Sequence, residues 1–599
     1  MQSFLHQFRF SPATICATLA IAVVSLILSS PLQADTRVRP RALKLSPDGS
    51  LVATANRIAG TVTVATVDPL QQVAEIEVGS EPMDVLWIND TELAVTVHRD
   101  RTVQLLSLNE GQLQRKRSVS VSACPVGMVF APEAQELIVA VQHPDSVLAI
   151  DLTSGEIVRR YETGDYPRYL CLAPDESWFC VTSELPGALT TFDRESGEVL
   201  SRQIAHQTAF NLGQPTLLED QFVVVPLTIN RDFPVTEGNI ARGWVVNNRL
   251  ARFRVPHGPA LEQRQMSLDM KGHGSADLTT TALSPSTNKL LVTASGVHEL
   301  IMLDRNSLEW PTSEPHDFAS HQLSDSDQTM KRIPLSGRPV DVDFLNDTTV
   351  LVANEMDDRL QKVDLQNGEI LDELLLADSS HESQIAQGER IFYDGRRSRD
   401  GWMSCHTCHF DGHTSGQVFD TFNDATYDTK KLTLSLHDVA NTEPWTWHGW
   451  QPDLTDSMTK SLRDTMHGSI VPTDDDARAL AAYLGTLTLL SATPDVSEAD
   501  LAAGRELFYG KAGCISCHEE PNYESSGRFS VSRLESHSIY QVLNPPPLRG
   551  VSSRRRFLHH GYAHSIDQVL RLYHRPADTT GADLTETERR QLITFLSAL

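Results

Sequence analysis

The stretches Arg41-Ala42-Leu43-Lys44-Leu45-Ser46-Pro47-Asp48-Gly49 and Tyr169-Leu170-Cys171-Leu172-Ala173-Pro174-Asp175 carry one phrase, an alternating strand that runs into a Pro-Asp turn. A proline opens each copy. Pro40, Pro82, Pro125 and Pro167 are spaced 42, 43 and 42 residues apart, and Pro339 opens a later copy. A third strand ends near an aspartate, as in Ala149-Ile150-Asp151 and Thr191-Phe192-Asp193. Turns such as Ser154-Gly155-Glu156, Ser196-Gly197-Glu198 and Asn367-Gly368-Glu369 then lead into a fourth strand. Four short strands in a period of about 40 residues predict the blade of a β-propeller. Seven blades are expected up to residue 378: four regular, one irregular over 207–256, one beginning near Leu278 and one at Pro339. The irregular blade carries an insertion from Asn230 to Gly243, expected as a loop on one face. Such a ring exposes few strand edges and suits a scaffold or docking role. No catalytic constellation is legible within it.

Beyond residue 378 the pattern turns helical and is itself duplicated. Gly388-Glu389-Arg390-Ile391-Phe392-Tyr393 is echoed by Gly504-Arg505-Glu506-Leu507-Phe508-Tyr509. Leu436, Val439, His448 and Gly449 recur 112 residues on as Leu548, Val551, His560 and Gly561. Leu480, Tyr483, Leu484 and Leu487 recur at the same offset as Leu592, Phe595, Leu596 and Leu599, with the spacing of an amphipathic helix. Thr585 and Glu588 form a capping box before the last helix. The expected organisation is multidomain: an exported leader over 1–34, an all-β seven-bladed propeller over 35–378, and two tandem all-α cytochrome c-like domains over 379–490 and 491–599.

Each helical repeat holds one CxxCH, Cys405-His406-Thr407-Cys408-His409 and Cys514-Ile515-Ser516-Cys517-His518. Two thiols three positions apart add to the two vinyl groups of a haem, and the adjacent histidine ligates the iron. Two covalent haem c groups follow, held by Cys405, Cys408 and His409 and by Cys514, Cys517 and His518. A zinc knuckle or a redox dithiol is the competing reading, and it needs further ligands or a thioredoxin-like context.

Residues 1–34 read as a secretory signal: Arg9 is their only charge, Ala13 to Leu28 is apolar, and Pro31-Leu32-Gln33-Ala34 ends on a small residue. An uncleaved anchor is the alternative. Cys16 lies too early in the apolar run to be a lipidation site. No other segment is apolar enough to span a bilayer, so the mature chain is expected in the periplasm or on the outer surface of the cell. Cys171 and Cys180 flank a strand pair and would form a disulfide there or remain buried thiols. The formal net charge is −27, from 51 basic and 78 acidic residues. That excess argues against nucleic acid or an anionic membrane as partner. It suits either solubility or the steering of a basic redox protein.

Residues 379–599 resemble the bacterial di-haem cytochrome c peroxidase and MauG superfamily. Arg390-Ile391-Phe392-Tyr393-Asp394 before the first CxxCH resembles that family, as does Gly510-Lys511-Ala512-Gly513-Cys514 at the second. Pro547-Leu548-Arg549-Gly550-Val551 followed by His559-His560-Gly561 resembles its second-domain signature. The propeller phrases resemble the YVTN-type repeats of exported bacterial proteins. The resemblance implies that Tyr573, twelve residues beyond Gly561, is a phenolate ligand to the second iron in the MauG manner, where peroxidases place Met. Its neighbour His574 would point elsewhere on a helix. Trp447 stands where the family has a Trp between the haems, a relay for electrons. His467, twenty residues on, takes the place of an acidic group over the first haem; it would move a proton between the oxygens of bound peroxide or ligate the iron. His413, His437 and Met466 are further candidates. The family also binds Ca²⁺ between its haem domains, near Asn544 and Pro546 here.

Two functions follow. One is an H2O2-dependent enzyme whose first haem reacts with peroxide while the second relays or stores electrons. Its reductant would be a small cytochrome, a cupredoxin or a protein substrate. The other is a non-enzymatic electron-transfer protein with both irons six-coordinate and the propeller docking a partner.

Overall fold

The computed structural model describes residues 37–599 apart from 122, 220, 261–263, 314–315, 378–381, 423, 491–495, 531–541 and 580. The leader over 1–34 with Cys16 therefore lies outside the described residues, as do the boundary near 378 and residues 491–495. Residues 37–599 form one compact unit.

Seven antiparallel sheets follow one another along the chain, each built from a single contiguous stretch. The first strands of six of them are Pro40–Leu45, Pro82–Asn89, Cys124–Ala131, Asp165–Leu172, Leu278–Leu283 and Pro339–Asn346. These pack on their neighbours around a common axis, and Pro339–Asn346 lies against Pro40–Leu45 to close the ring. The fifth blade is the irregular one, a five-stranded sheet from Ala209–Phe210 to Arg264–Ser267. The seven-bladed reading of the repeats therefore holds. The Asp-x-x-Ser-Gly-Glu turns show why the phrase recurs. Asp151 and Asp193 accept hydrogen bonds from the backbone N–H of Ser154 (2.6 Å) and Ser196 (2.8 Å). Gly155 and Gly197 adopt φ of 79° and 80°, a left-handed conformation that glycine takes without strain.

Among the described residues no strand is shared between the first and last blades; an apolar cluster including Leu43, Val52, Val340 and Leu351 spans the seam, together with hydrogen bonds and charges. Leu43 N–H donates to Asp341 at 2.9 Å, and Val38 and Arg39 N–H donate to Asp358 at 3.1 and 2.7 Å. Arg39 also pairs with Asp358 at 2.9 Å, and Arg57 with Glu355 at 3.3 Å.

In the C-terminal part, α1 (Gln384–Tyr393) packs on α2 (Asp474–Leu484), and α3 (Glu498–Tyr509) packs on α4 (Glu586–Ser597). The duplicated glycines mark the two crossings. A Cβ on Gly388 would stand 1.9 Å from Ala479 O, and one on Gly504 would stand 2.0 Å from Gln591 O. Leu480, Tyr483 and Leu484 are core residues of the first pair, and Leu592, Phe595 and Leu596 of the second. Thr585 and Glu588 make the expected capping box. The all-α expectation holds for these pairs and not for the chain between them. That chain is largely irregular, with small ribbons at Val418–Phe419 with Lys431–Leu432 and Phe529–Ser530 with Val542–Leu543. Its turn-forming residues, such as Pro545-Pro546-Pro547, cannot sustain a helix. Cys171 and Cys180 sit directly opposite on adjacent strands as unbonded thiols.

The C-terminal part covers the propeller face at which the first strands begin. Glu389 of α1, fully buried, accepts from Arg37 (2.7 Å), Arg39 (2.8 Å) and Arg57 (2.8 Å) of the first blade. Burial alone would raise this carboxyl, but the three guanidinium groups hold it well below the usual value. A depressed folded value stabilises above the unfolded one, so this contribution is present near neutrality and is lost as pH falls below about 4.5. Glu389→Ala should lower stability by about 3–5 kcal/mol, because three buried cations lose their anion. Denaturant titration at pH 7 and pH 4 checks both statements: the variant's deficit should be smaller at the lower pH.

Candidate haem-binding sites

The first CxxCH forms a one-turn helix, Cys405–Cys408, capped by Ser404 and Thr407. Both hydroxyls donate to Asp277 of the propeller at 2.6 Å, and Asn211 donates to Thr407 O at 2.8 Å. The preceding Trp402 is fully buried, and its ring occupies the space where a Cβ on Gly243 would stand, 2.5 Å away. The Asn230–Gly243 insertion thus buttresses the first turn. In the second CxxCH, Cys514–Ser516 form a 3-10 turn after Gly513, at φ 67°.

Both CxxCH histidines are set the same way. His409 Nδ1 lies 2.9 Å from Leu434 O, and His518 Nδ1 lies 3.0 Å from Tyr523 O. A carbonyl only accepts, so each Nδ1 carries the proton and each Nε2 keeps its lone pair, the tautomer a metal ligand needs. Burial pushes both imidazoles down to about 4, so they are neutral at pH 7.

Each turn faces a cavity. The first, about 320 Å³, is lined by Cys405, Cys408, His409, Trp445, Met458 and Met466 among others. The second, about 190 Å³, is lined by Cys514, Cys517, His518, Phe508, Leu570 and His574 among others. Leu432, Leu434, Trp447, Asn544, Pro546 and Arg554 belong to both walls. Trp447 is buried, donates its indole N–H to Leu432 O at 2.8 Å, and accepts from Asn544 N–H at 2.8 Å. Arg554 is half-buried, and burial pushes it down to about 10. No carboxylate pairs with it among the described residues. Mostly apolar walls, two thiols, a bare imidazole nitrogen and a cation awaiting an anion fit haem c with its two propionates.

The other expected site residues fall differently. His467 is outside the wall of the first cavity; it forms an isolated bridge with Ser398 at φ 50°, while Thr465 and Met466 line the wall. Tyr573 is outside the wall of the second cavity, with its ring 5.8 Å from His560, while His574 lines that wall. The cause is shared. Ser461–Thr465 and Val569–Tyr573 are π-helical turns, closed by Met466 N–H to Ser461 O (3.1 Å) and His574 N–H to Val569 O (2.8 Å). The wider turn brings the residue that follows it, Met466 or His574, into the cavity wall. His437 lines the first cavity and stacks on His413 at 4.9 Å. Asn544 donates to Ser525 O (2.6 Å) and Gly527 O (3.0 Å) beside Pro546 in the common wall.

No family model matches the chain. The C-terminal part, about 36% of the chain, is 26% identical over 281 residues to methylamine utilization protein MauG of Methylorubrum extorquens, covering 78% of that protein. It is 23% identical over 304 residues to cytochrome-c peroxidase IdrP1 of Pseudomonas sp. strain SCT, covering 80% of it. A chain of Kuenenia stuttgartiensis hydrazine synthase superposes on 56% of this chain and 98% of its own with a TM-score of 0.50 and 19% identity, a likeness of fold. A seven-bladed propeller carrying a C-terminal part whose two CxxCH turns each face an apolar cavity is the class that these features define. Within it, the C-terminal part is similar to MauG and the cytochrome-c peroxidases.

His574→Ala should change the near-infrared magnetic circular dichroism of the second site, and Tyr573→Phe should leave it unchanged. Asp277→Ala strands two buried hydroxyls and should cost about 1–3 kcal/mol, read as a lower melting temperature of the haem-loaded protein.

Proposed function

We propose that the chain is an exported di-haem c-type oxidoreductase that reduces hydrogen peroxide at its first site and stores or relays electrons at its second. The observation that carries this reading is the pair of CxxCH turns, each with a bare histidine Nε2 at an apolar cavity, on either side of Trp447. Haem c at each turn would supply iron for one-electron transfer and, at the first, a place for peroxide to bind. Cys405 and Cys408 would anchor one group and Cys514 and Cys517 the other, with His409 and His518 beneath the irons and Arg554 beside the propionates. His574 lines the same cavity as His518 and would help to hold that iron, which would supply a place to store an electron.

The first cavity, about 320 Å³, is larger than the second, about 190 Å³. His437 in the wall of the first is pushed down to about 4 by burial, so at pH 7 its neutral ring can accept a hydrogen bond from a bound peroxide oxygen. Each peroxide takes up two electrons and two protons and leaves as two waters. Trp447, in contact with both cavities, shortens the path for the second electron. A small basic cytochrome or cupredoxin, or residues of a protein substrate, would supply the electrons to this acidic chain. The periplasm is the compartment in which the leader and covalent haem attachment agree.

Met466 favours the second reading. A thioether from the wall of the first cavity would close that iron too and leave an electron carrier. Met466 belongs to an apolar cluster with Trp402, Met403 and Phe419 against which Cys408 packs.

Intact mass should give two haems per chain, and one after Cys405→Ala with Cys408→Ala; a wild-type mass with fewer than two would sink the reading. Trp447→Phe should slow peroxide-driven oxidation of a reduced small cytochrome at least tenfold while leaving both haems attached.

A further inference from the structure

The axial channel of the propeller leads towards the first cavity. Its wall draws on the first strands of six blades and on Gln214 of the fifth, from Arg41 to Asp341. At the face covered by the C-terminal part it meets a chamber, and Met83, Val126 and Arg168 belong to the walls of both. His98 and His143 enter the chamber from the propeller, and His413 and His437 from the C-terminal part. Tyr166 joins the two sets: its hydroxyl is 3.4 Å from His413 Nε2 and donates to Ser553 O at 2.7 Å. His437 stands in the wall of the chamber and in that of the first cavity.

The chamber wall is polar and carries charges of both signs, Arg57, Arg99 and Arg168 with Glu81, Glu184 and Asp411. Buried side-chain oxygens of Glu184 and Asn211 find no protein partner in it, and such atoms call for water or a molecule like it. Arg41, 7% exposed, stands in the wall of the channel above, with Nη1 3.8 Å from Glu355. An ion would meet opposed charges at the junction, where Asp411 pairs with Arg168 at 2.8 Å and with Arg41 at 3.3 Å. A small neutral molecule passes such a closed ion pair without breaking it.

We propose that the propeller channel and the histidine chamber are the entry route by which a small uncharged hydrogen-bonding molecule, of the size and polarity of hydrogen peroxide, reaches the first cavity. The propeller is then a conduit as well as a scaffold. This inference rests on the first cavity being the reactive one.

The test uses the haem-loaded full chain and cyanide at pH 7, where it is neutral HCN, followed by stopped-flow absorbance. Met83→Trp at the junction should lower both the association and dissociation rates at least tenfold, with the bound spectrum and the equilibrium affinity unchanged. Met83→Ala should match or exceed the wild-type rates. If Met83→Trp does not fold, Leu172→Trp in the channel wall should slow both rates alike. Wild-type rates in whichever tryptophan variant folds would overturn the route and leave the functional reading standing. A wild-type protein that binds neither cyanide nor peroxide would overturn the functional reading and the route with it.

Discussion

The buried carboxylate of Glu389 is the interaction on which the rest depends. Three arginines from the first blade converge on it, and one of them, Arg57, also reaches Glu355 of the last blade. Glu355 in turn pairs with Arg338 at 2.7 Å. This network closes the seam together with the apolar cluster of Leu43, Val52, Val340 and Leu351, and its central anion belongs to the C-terminal part. Buried charges are costly unless paired, so removing Glu389 weakens the whole network. Residues 37–599 form one compact unit, and the turn carrying His409 is held by hydrogen bonds to Asp277 and from Asn211 of the blades beneath it.

That anchoring makes the duplicated sites unequal. The second turn, Cys514 to His518, lies among α3, α4 and their loops, where Phe508, Leu570 and Leu596 wall its cavity. The first turn lies against the propeller, with Trp402, Asn211 and the histidine chamber around it. One fold is repeated in two surroundings, and Trp447 stands in the wall common to both cavities.

Much of this was legible in the sequence because local rules set it. The Asp-x-x-Ser-Gly-Glu turns, the prolines at strand starts and the glycines at 388 and 504 each answer a backbone demand that recurs with every copy. The CxxCH histidines were legible for the same reason. The hydrogen bonds that set their tautomer come from Leu434 and Tyr523 carbonyls, which leave no side-chain signature. His574 was missed as a wall residue because a π-helical turn has no reliable sequence mark, and one extra residue rotates the register. The Arg–Glu389 network joins positions some 330 to 350 residues apart, and no periodicity reports such a pairing.

Low-temperature EPR of the oxidised protein, before and after one equivalent of H2O2, tests the central claim that the two sites divide the work. The account predicts a high-spin ferric signal beside a low-spin one, with both lost on adding peroxide. Two low-spin signals indifferent to peroxide, in the oxidised protein and after one-electron reduction, would contradict it and leave an electron carrier.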